Sequence, residues 1–157
     1  MQPKLRTPLK ALCAIWSAAF FLCQPTFSTA QQLAPIEPLV VTNDRGGLLR
    51  KRIAEIQDIV AASQPVQITG RICYSTCTMY LGLPDTCVAP DTVFGFHGPS
   101  SYGRPLAPDV FEQASQTIAA YYPEVLRDWY MTTARHELRQ LHKVRGSELI
   151  RLGVRQC

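Results

Sequence analysis

The stretch that decides the fold is RICYSTCTMYLGLP, residues 71–84. The segment before it, VQITGRI, alternates apolar and polar residues, which predicts a β-strand. The segment STCTMYLGL (75–83) predicts a short helix that begins at or near Ser75. A serine therefore lies where a strand turns into a helix. Two interpretations are open at this point, because a serine there can be a reactive residue or an ordinary helix cap.

Strands that lead into turns are also predicted upstream and downstream of this stretch. Upstream, the β-branched run LVVT (39–42) predicts a strand, NDRGG (43–47) a turn, and LLRKRIAEIQDIVAAS an amphipathic helix. Downstream, TVFGFH (92–97) predicts a strand that ends in a histidine. Alternating strands and helices predict an α/β fold, a mostly parallel sheet with flanking helices. Because working residues collect at the carboxyl ends of parallel strands, the three turns should meet at one edge.

The second half of the chain predicts a loop followed by helices. GPSSYGRPLAP (98–108) is rich in glycine, proline and serine, which is typical of a loop. Two long helices are expected at 109–122 and 123–142, the second with proline in its first turn. A last short helix is expected at 146–153.

The N-terminal residues have the pattern of an export signal. Residues 1–30 combine basic residues, an apolar run of thirteen and the small-residue ending STA, which predicts a secretory signal peptide. The alternative is an uncleaved anchor, although the run is shorter than the ~20 residues of a bilayer span. We expect a leader at 31–38 and one domain at 39–157, periplasmic or secreted. Without the signal the net charge is 13 − 12 = +1, so no nucleic-acid partner is expected.

Four cysteines remain after the signal is removed: Cys73, Cys77, Cys87 and Cys157. In an exported domain an even number predicts two disulfides, with three possible connectivities. We favour Cys77–Cys87, closing the return after the helix, together with Cys73–Cys157, tying down the C-terminus. A zinc site is the alternative, but the spacing of Cys73 and Cys77 matches zinc motifs poorly.

The three turns that should meet at one edge of the sheet carry groups that suit acyl transfer. Ser75 is a candidate nucleophile and His97 a candidate base. The N–H groups of Thr76 and of Gly46 or Gly47 are candidate oxyanion donors. Each part also has an ordinary interpretation: a helix cap, a tight turn and a surface histidine. Taken singly, each part favours its ordinary interpretation, and only their order and spacing shift the balance toward the reactive one.

This arrangement resembles the Clp protease proteolytic subunit and the wider crotonase-like superfamily. The resemblance is carried by NDRGG (43–47), GRICYSTCTMYL (70–81), FGFHGP (94–99) and the closing GSELIRLGV (146–154). It implies a reduced, disulfide-stapled core of that fold in a small exported bacterial relative. It also implies a serine hydrolase acting on peptide or ester bonds through Ser75, His97 and the backbone donors, with neither cofactor nor metal.

The chain departs from the family pattern where a catalytic aspartate is expected. No aspartate follows Asp128, and RHELRQLHKVRG offers Glu137 instead, with Asp109 as a more distant alternative. The first βαβ unit and the oligomerisation loop of the barrel-forming protease are missing, so no ATPase partner is expected; a homo-oligomer is left open. The second hypothesis is a catalytically idle domain that serves as a binding module in the cell envelope.

Overall fold

The computed structural model describes residues 35–157. The predicted signal peptide (1–30) and the first residues of the leader lie outside this range. The elements in chain order are β1 (Leu39–Asp44), α1 (Leu49–Ala61), β2 (Val66–Tyr74), a 3₁₀-helix (Ser75–Gly82), β3 (Thr86–Val88), β4 (Val93–Phe96), α2 (Pro108–Ala119), α3 (Glu124–Thr132), a 3₁₀ turn (Ala134–His136), β5 (His142–Arg145) and α4 (Gly146–Arg151).

The strands form one mixed sheet of five, in the order β1-β2-β4-β5, with β3 also paired to β2. Strand β2 is central: β3 pairs with its first residues, 66–68, and β4 with its last, 72–74. Strands β1, β3 and β4 all run parallel to β2, whereas β5 runs antiparallel to β4. The predicted α/β class with flanking helices is confirmed, and the antiparallel β5 makes the sheet mixed.

The helix expected at 123–142 was wrong in its second half. Helix α3 ends at Thr132, and Thr133 leaves the helical region with φ −129° and ψ −68°. His142–Arg145 then pairs with β4 along the whole length of that strand. The backbone groups on this edge of β4 need partners, and pairing with β5 supplies them. The helical pattern of the sequence is overridden by this long-range pairing.

Aromatic side chains from α3 and from the segment between α2 and α3 cover the end of β4. Phe96 packs edge-on against both Tyr122 and Trp129, with ring centroids 5.6 and 5.1 Å apart. Tyr122 in turn packs edge-on against Tyr130 at 5.0 Å. Edge-to-face pairs at these separations add to the stability gained from burying the rings. The cluster fixes the end of β4 and therefore the position of the residue that follows it, His97.

The structure contains two disulfides, but the expected pairing was wrong. Cys73 is bonded to Cys77, and Cys87 to Cys157. The first turn of the 3₁₀-helix folds back and brings the Cα atoms of Cys73 and Cys77 to 5.3 Å. The C-terminal residues run beside β3, where the Cys157 N–H donates to the Val88 carbonyl, so that Cys157 lies next to Cys87. Together the two bonds pair each of the four cysteines within residues 35–157.

The disulfides bear on the compartment in which the protein folds. Such bonds form and persist in oxidising surroundings, so they are consistent with a periplasmic or extracellular protein. None of the helices within residues 35–157 is long and apolar enough to cross a membrane.

Candidate active site

The carboxyl ends of β1, β2 and β4 open into one cavity of about 590 Å³. Gly47, Ser75, Thr76 and His97 all line it, so the structure brings these sequence-predicted residues together. The loop at 98–103 forms one rim. The remaining lining is largely apolar and consists of Leu48, Leu49, Leu106, Ile118 and Tyr122.

Ser75 has an unusual backbone conformation for a serine. Its φ is +57°, in the left-handed region that non-glycine residues seldom enter. Its carbonyl accepts a hydrogen bond from Thr78 Oγ1 at 2.7 Å, and that hydroxyl is also 2.7 Å from Tyr122 Oη. The N-cap position of the 3₁₀-helix is occupied by Tyr74, which makes no side-chain capping bond within residues 35–157, and Ser75 is the first residue of that helix. Backbone strain of this kind collects at functional sites, and the interpretation of Ser75 as an ordinary cap does not describe it.

Gly46 is pressed against the serine turn. Its φ is +86°, and a Cβ built on it would lie 2.9 Å from Ser75 Oγ and 2.8 Å from the Tyr74 carbonyl. Both the backbone conformation and the close approach therefore require glycine. The Gly46 N–H donates to Asp44 Oδ1 at 2.7 Å, which closes an Asx turn.

This hydrogen bond distinguishes between the two candidate glycines. Because the Gly46 N–H is engaged by Asp44, it is not free to bind an oxyanion. In the described part of the chain, the N–H groups of Gly47 and Thr76 have no hydrogen-bond partner. Both residues line the cavity next to Ser75. The oxyanion donors that the geometry favours are therefore the N–H groups of Gly47 and Thr76.

His97 follows β4 and is held by a backbone carbonyl. Its Nδ1 lies 2.7 Å from the Gly98 carbonyl oxygen. A carbonyl only accepts, so Nδ1 carries the proton and Nε2 keeps a lone pair. The Gly98 N–H donates to the Glu137 carbonyl at 2.9 Å, and Tyr130 Oη donates to the His97 carbonyl at 3.4 Å. The imidazole is thus in the tautomer that a base at Nε2 requires.

The structure does not bring the Glu137 carboxylate, the expected third member, onto the His97 ring. Its side chain is exposed, and no hydrogen bond among residues 35–157 joins it to the His97 ring. Asp109 lies in the exposed first turn of α2 and makes no such bond there either. Glu137 contributes its main-chain oxygen, which holds Gly98. The group that orients His97 is the Gly98 carbonyl.

A charged cluster that the sequence pattern did not predict lies beneath the glycine turn. Arg52, only 8% exposed, pairs with Asp44 and with Glu55, and it also contacts Tyr80 Oη. Burial raises the pKa of the Tyr80 phenol well above its usual value. The Asp-x-Gly order in NDRGG could have indicated the Asx turn. Nothing local identifies Arg52 as the partner of Asp44, because it lies on the next helix.

The arrangement has the parts of a nucleophilic site in an open geometry. Ser75 Oγ and the His97 ring share the cavity, but no hydrogen bond joins them within residues 35–157. Such bonds are often long in the absence of substrate and shorten in the reacting complex. Within the same part of the chain, no group of three or more His, Cys, Asp or Glu side chains could hold a metal ion.

No family model matches this chain, and no curated protein or solved structure shows significant similarity to it. The case for a function therefore depends on the geometry of the cavity and of the residues around Ser75.

Proposed function

We propose that this protein is an exported serine hydrolase of the Clp/crotonase-like class that cleaves peptide or ester bonds. The observation that carries the proposal is the left-handed Ser75 at the end of β2, in one cavity with His97. A strained serine with an uncommitted hydroxyl is what a nucleophile needs, and a simple helix cap does not need it.

The proposed reaction uses groups of this chain alone. His97 Nε2 takes the proton of Ser75 Oγ while that oxygen attacks the substrate carbonyl carbon. The N–H groups of Gly47 and Thr76 stabilise the resulting oxyanion. The imidazolium then gives the proton to the leaving amine or alcohol, and an acyl-enzyme remains. Water, activated by His97, hydrolyses the acyl-enzyme and restores Ser75.

The Gly98 carbonyl takes the orienting role that a carboxylate has in a Ser-His-Asp triad. It selects the same tautomer of His97 through a 2.7 Å hydrogen bond. A neutral carbonyl stabilises the imidazolium less than an ionised carboxylate does, because it lacks a full negative charge. We therefore expect slow turnover.

The compartment and partners are part of the same proposal. The predicted signal peptide and the two disulfides support action in the periplasm or outside the cell. No ATPase partner is proposed. The proposed mechanism is complete within one copy of the chain and needs no cofactor.

A fluorophosphonate probe, which phosphonylates activated serines, tests the proposal on the purified, oxidised, exported protein. We expect labelling of the wild type and its loss in Ser75→Ala and in His97→Ala. Ser101→Ala removes another serine of the cavity rim, and His136→Ala an exposed histidine, so both matched controls should still be labelled. Labelling that survives Ser75→Ala would contradict the proposal.

The second candidate is a binding module that retains the fold. It is favoured by one observation: in the described residues, the His97 ring has a carbonyl partner and no carboxylate. A well-folded wild type that the probe does not label would support this candidate. The cavity with its apolar walls would then be the place to look for a bound envelope partner, by cross-linking from the rim residue Tyr102.

A further inference from the structure

The Cys73–Cys77 disulfide encloses Ser75 symmetrically, two residues from each cysteine. Cys73 is paired on both sides within the sheet, opposite Asp44 on β1 and Phe94 on β4. Cys77 lies in the first turn of the 3₁₀-helix. Both cysteines are fully buried. The bond thus joins a rigid strand directly to the turn that carries the serine.

The position of this bond points to a local role. A disulfide stabilises a fold mainly by restricting the unfolded chain, and the effect grows with the length of the closed loop. The Cys73–Cys77 bond spans 4 residues, whereas Cys87–Cys157 spans 70. The short ring therefore restricts the unfolded chain less. Its main effect is to limit the conformations open to the three residues that it encloses.

Ser75 is the enclosed residue that needs such a restraint. A serine left to itself avoids a φ of +57°, so its surroundings must hold it there. One other restraint is the hydrogen bond from Thr78 Oγ1 to the Ser75 carbonyl at 2.7 Å. A second is the close packing of Gly46 against the side chain. The disulfide is the covalent one of the three.

We infer that the Cys73–Cys77 disulfide is a positioning device for the nucleophile, which holds Ser75 in its left-handed conformation. This inference rests on the proposed function for its catalytic consequence. With the bond in place, Ser75 Oγ is held beside the Gly47 and Thr76 donors. Without it, Ser75 relaxes toward a negative φ, and its hydroxyl leaves the position that the attack requires.

The first test compares two double variants of the full exported protein. Cys73→Ala/Cys77→Ala removes the enclosing bond, and Cys87→Ala/Cys157→Ala removes the bond beside β3 as a matched control. Fluorophosphonate labelling is followed to completion, so that the rate constant and the final stoichiometry are measured separately. A purely structural bond would lower the labelled fraction and leave the rate constant of the folded fraction unchanged.

A positioning bond gives the opposite result. We expect Cys73→Ala/Cys77→Ala to reach full stoichiometry with a rate constant about 10- to 100-fold lower, the loss expected for a displacement of ~1 Å. The control should keep the wild-type rate constant. If Cys73→Ala/Cys77→Ala does not fold, the control variant Cys87→Ala/Cys157→Ala is used instead, since it still contains the Cys73–Cys77 bond. Dithiothreitol reduces that bond to two thiols and is itself oxidised to its cyclic disulfide. Labelling is then compared before and after reduction.

A second measurement does not depend on activity. The one-bond Cα–Hα coupling of Ser75, measured by NMR, distinguishes a positive from a negative φ. We expect a positive φ in the wild type and in the control, and its loss without the Cys73–Cys77 bond. A retained positive φ with an unchanged rate constant would overturn the inference. If the wild type resists the probe, the proposed function fails, while the coupling still decides whether the bond holds Ser75.

Discussion

Asp44 accepts the N–H of Gly46 at 2.7 Å, and this bond determines how the glycine turn meets the serine turn. It holds Gly46 at a positive φ against Ser75 and leaves the Gly47 N–H without a partner in the described residues. The same carboxylate pairs with the buried Arg52. The Asp44 carboxylate on β1 therefore positions the turn that presents the Gly47 N–H as a donor for the proposed reaction.

The glycine at position 46 should be irreplaceable. Gly46→Ala adds a methyl group at 2.8 Å from the Tyr74 carbonyl and 2.9 Å from Ser75 Oγ, besides the strain of φ +86°. We expect a destabilisation of about 3 kcal/mol or more and loss of labelling, since strain and overpacking each cost about 1–3 kcal/mol. Urea unfolding and probe labelling measure the two effects.

Gly153→Ala is the matched control for that change. Gly153 also has a positive φ, +99°, but a Cβ there would have nothing within 4 Å. It should cost only about 1–2 kcal/mol, the conformational part, and leave labelling intact. Equal losses of stability in the two variants would show that the contact with Ser75 is not tight.

Removing the Asp44 carboxylate should weaken both the fold and the site. Asp44→Ala takes one carboxylate from the buried Arg52 and the acceptor from the Gly46 N–H, while Glu55 still pairs with Arg52. We expect a loss of about 2–3 kcal/mol, typical of a hydrogen-bonded charge with one remaining partner, and slower labelling. Chemical denaturation and labelling rates check both.

Asp58→Ala supplies the comparison for Asp44→Ala. Asp58 is exposed on α1, and its carboxylate makes no hydrogen bond or ion pair within residues 35–157. Its removal should change the free energy of unfolding by less than about 0.5 kcal/mol. If both variants behaved alike, the proposed link from Asp44 to the glycine turn would be wrong.

The two disulfides should contribute unequally to global stability. From loop length alone, removing Cys87–Cys157, which spans 70 residues, should cost about 4 kcal/mol, and removing Cys73–Cys77, which spans 4, about 2 kcal/mol. Urea unfolding of the two double alanine variants measures the difference. The reverse order would mean that the short bond also supports the surrounding core.

Alkaline conditions should destabilise the fold through three buried phenols. Burial raises the pKa of Tyr80, Tyr122 and Tyr130 well above the usual value. Below about pH 10 both the folded and the unfolded protein keep these protons. Above it, the unfolded chain releases protons that the folded one retains, so the free energy of unfolding falls as pH rises.

Absorbance of tyrosinate during a pH titration checks this prediction. The full chain has six tyrosines, and these three should ionise only together with unfolding. The control is Tyr130→Phe, which removes one of the three phenols and should reduce the late step by one proton. Ionisation of all six in a single reversible step before unfolding would contradict the prediction.

Much of the site followed from local patterns in the sequence. Alternation in VQITGRI indicated the strand before Ser75, and the turns at Gly46–Gly47 and His97 followed strands in the same way. Since parallel strands place their carboxyl ends at one edge, the meeting of these three turns could be predicted before the structure was known. The α/β class followed from the same alternation of strands and helices.

Partners far apart in the chain could not be predicted in this way. Cys87 and Cys157 lie 70 residues apart, and they are joined because the C-terminus runs beside β3. In the same way, residues 142–145 pair as a strand with the edge of β4, although their sequence has a helical pattern. Such choices depend on distances in space, which short sequence windows do not contain.

The sequence by itself determined the chemistry at the sheet edge: a serine, a histidine and two glycines, each after a strand. The tertiary structure alone decided how they are held. It packed Gly46 against Ser75, bound the Gly98 N–H to the Glu137 carbonyl, and joined Cys87 to Cys157. Strand patterns arise from sterics between chain neighbours, whereas orienting bonds depend on where the packed sheet brings separate segments together.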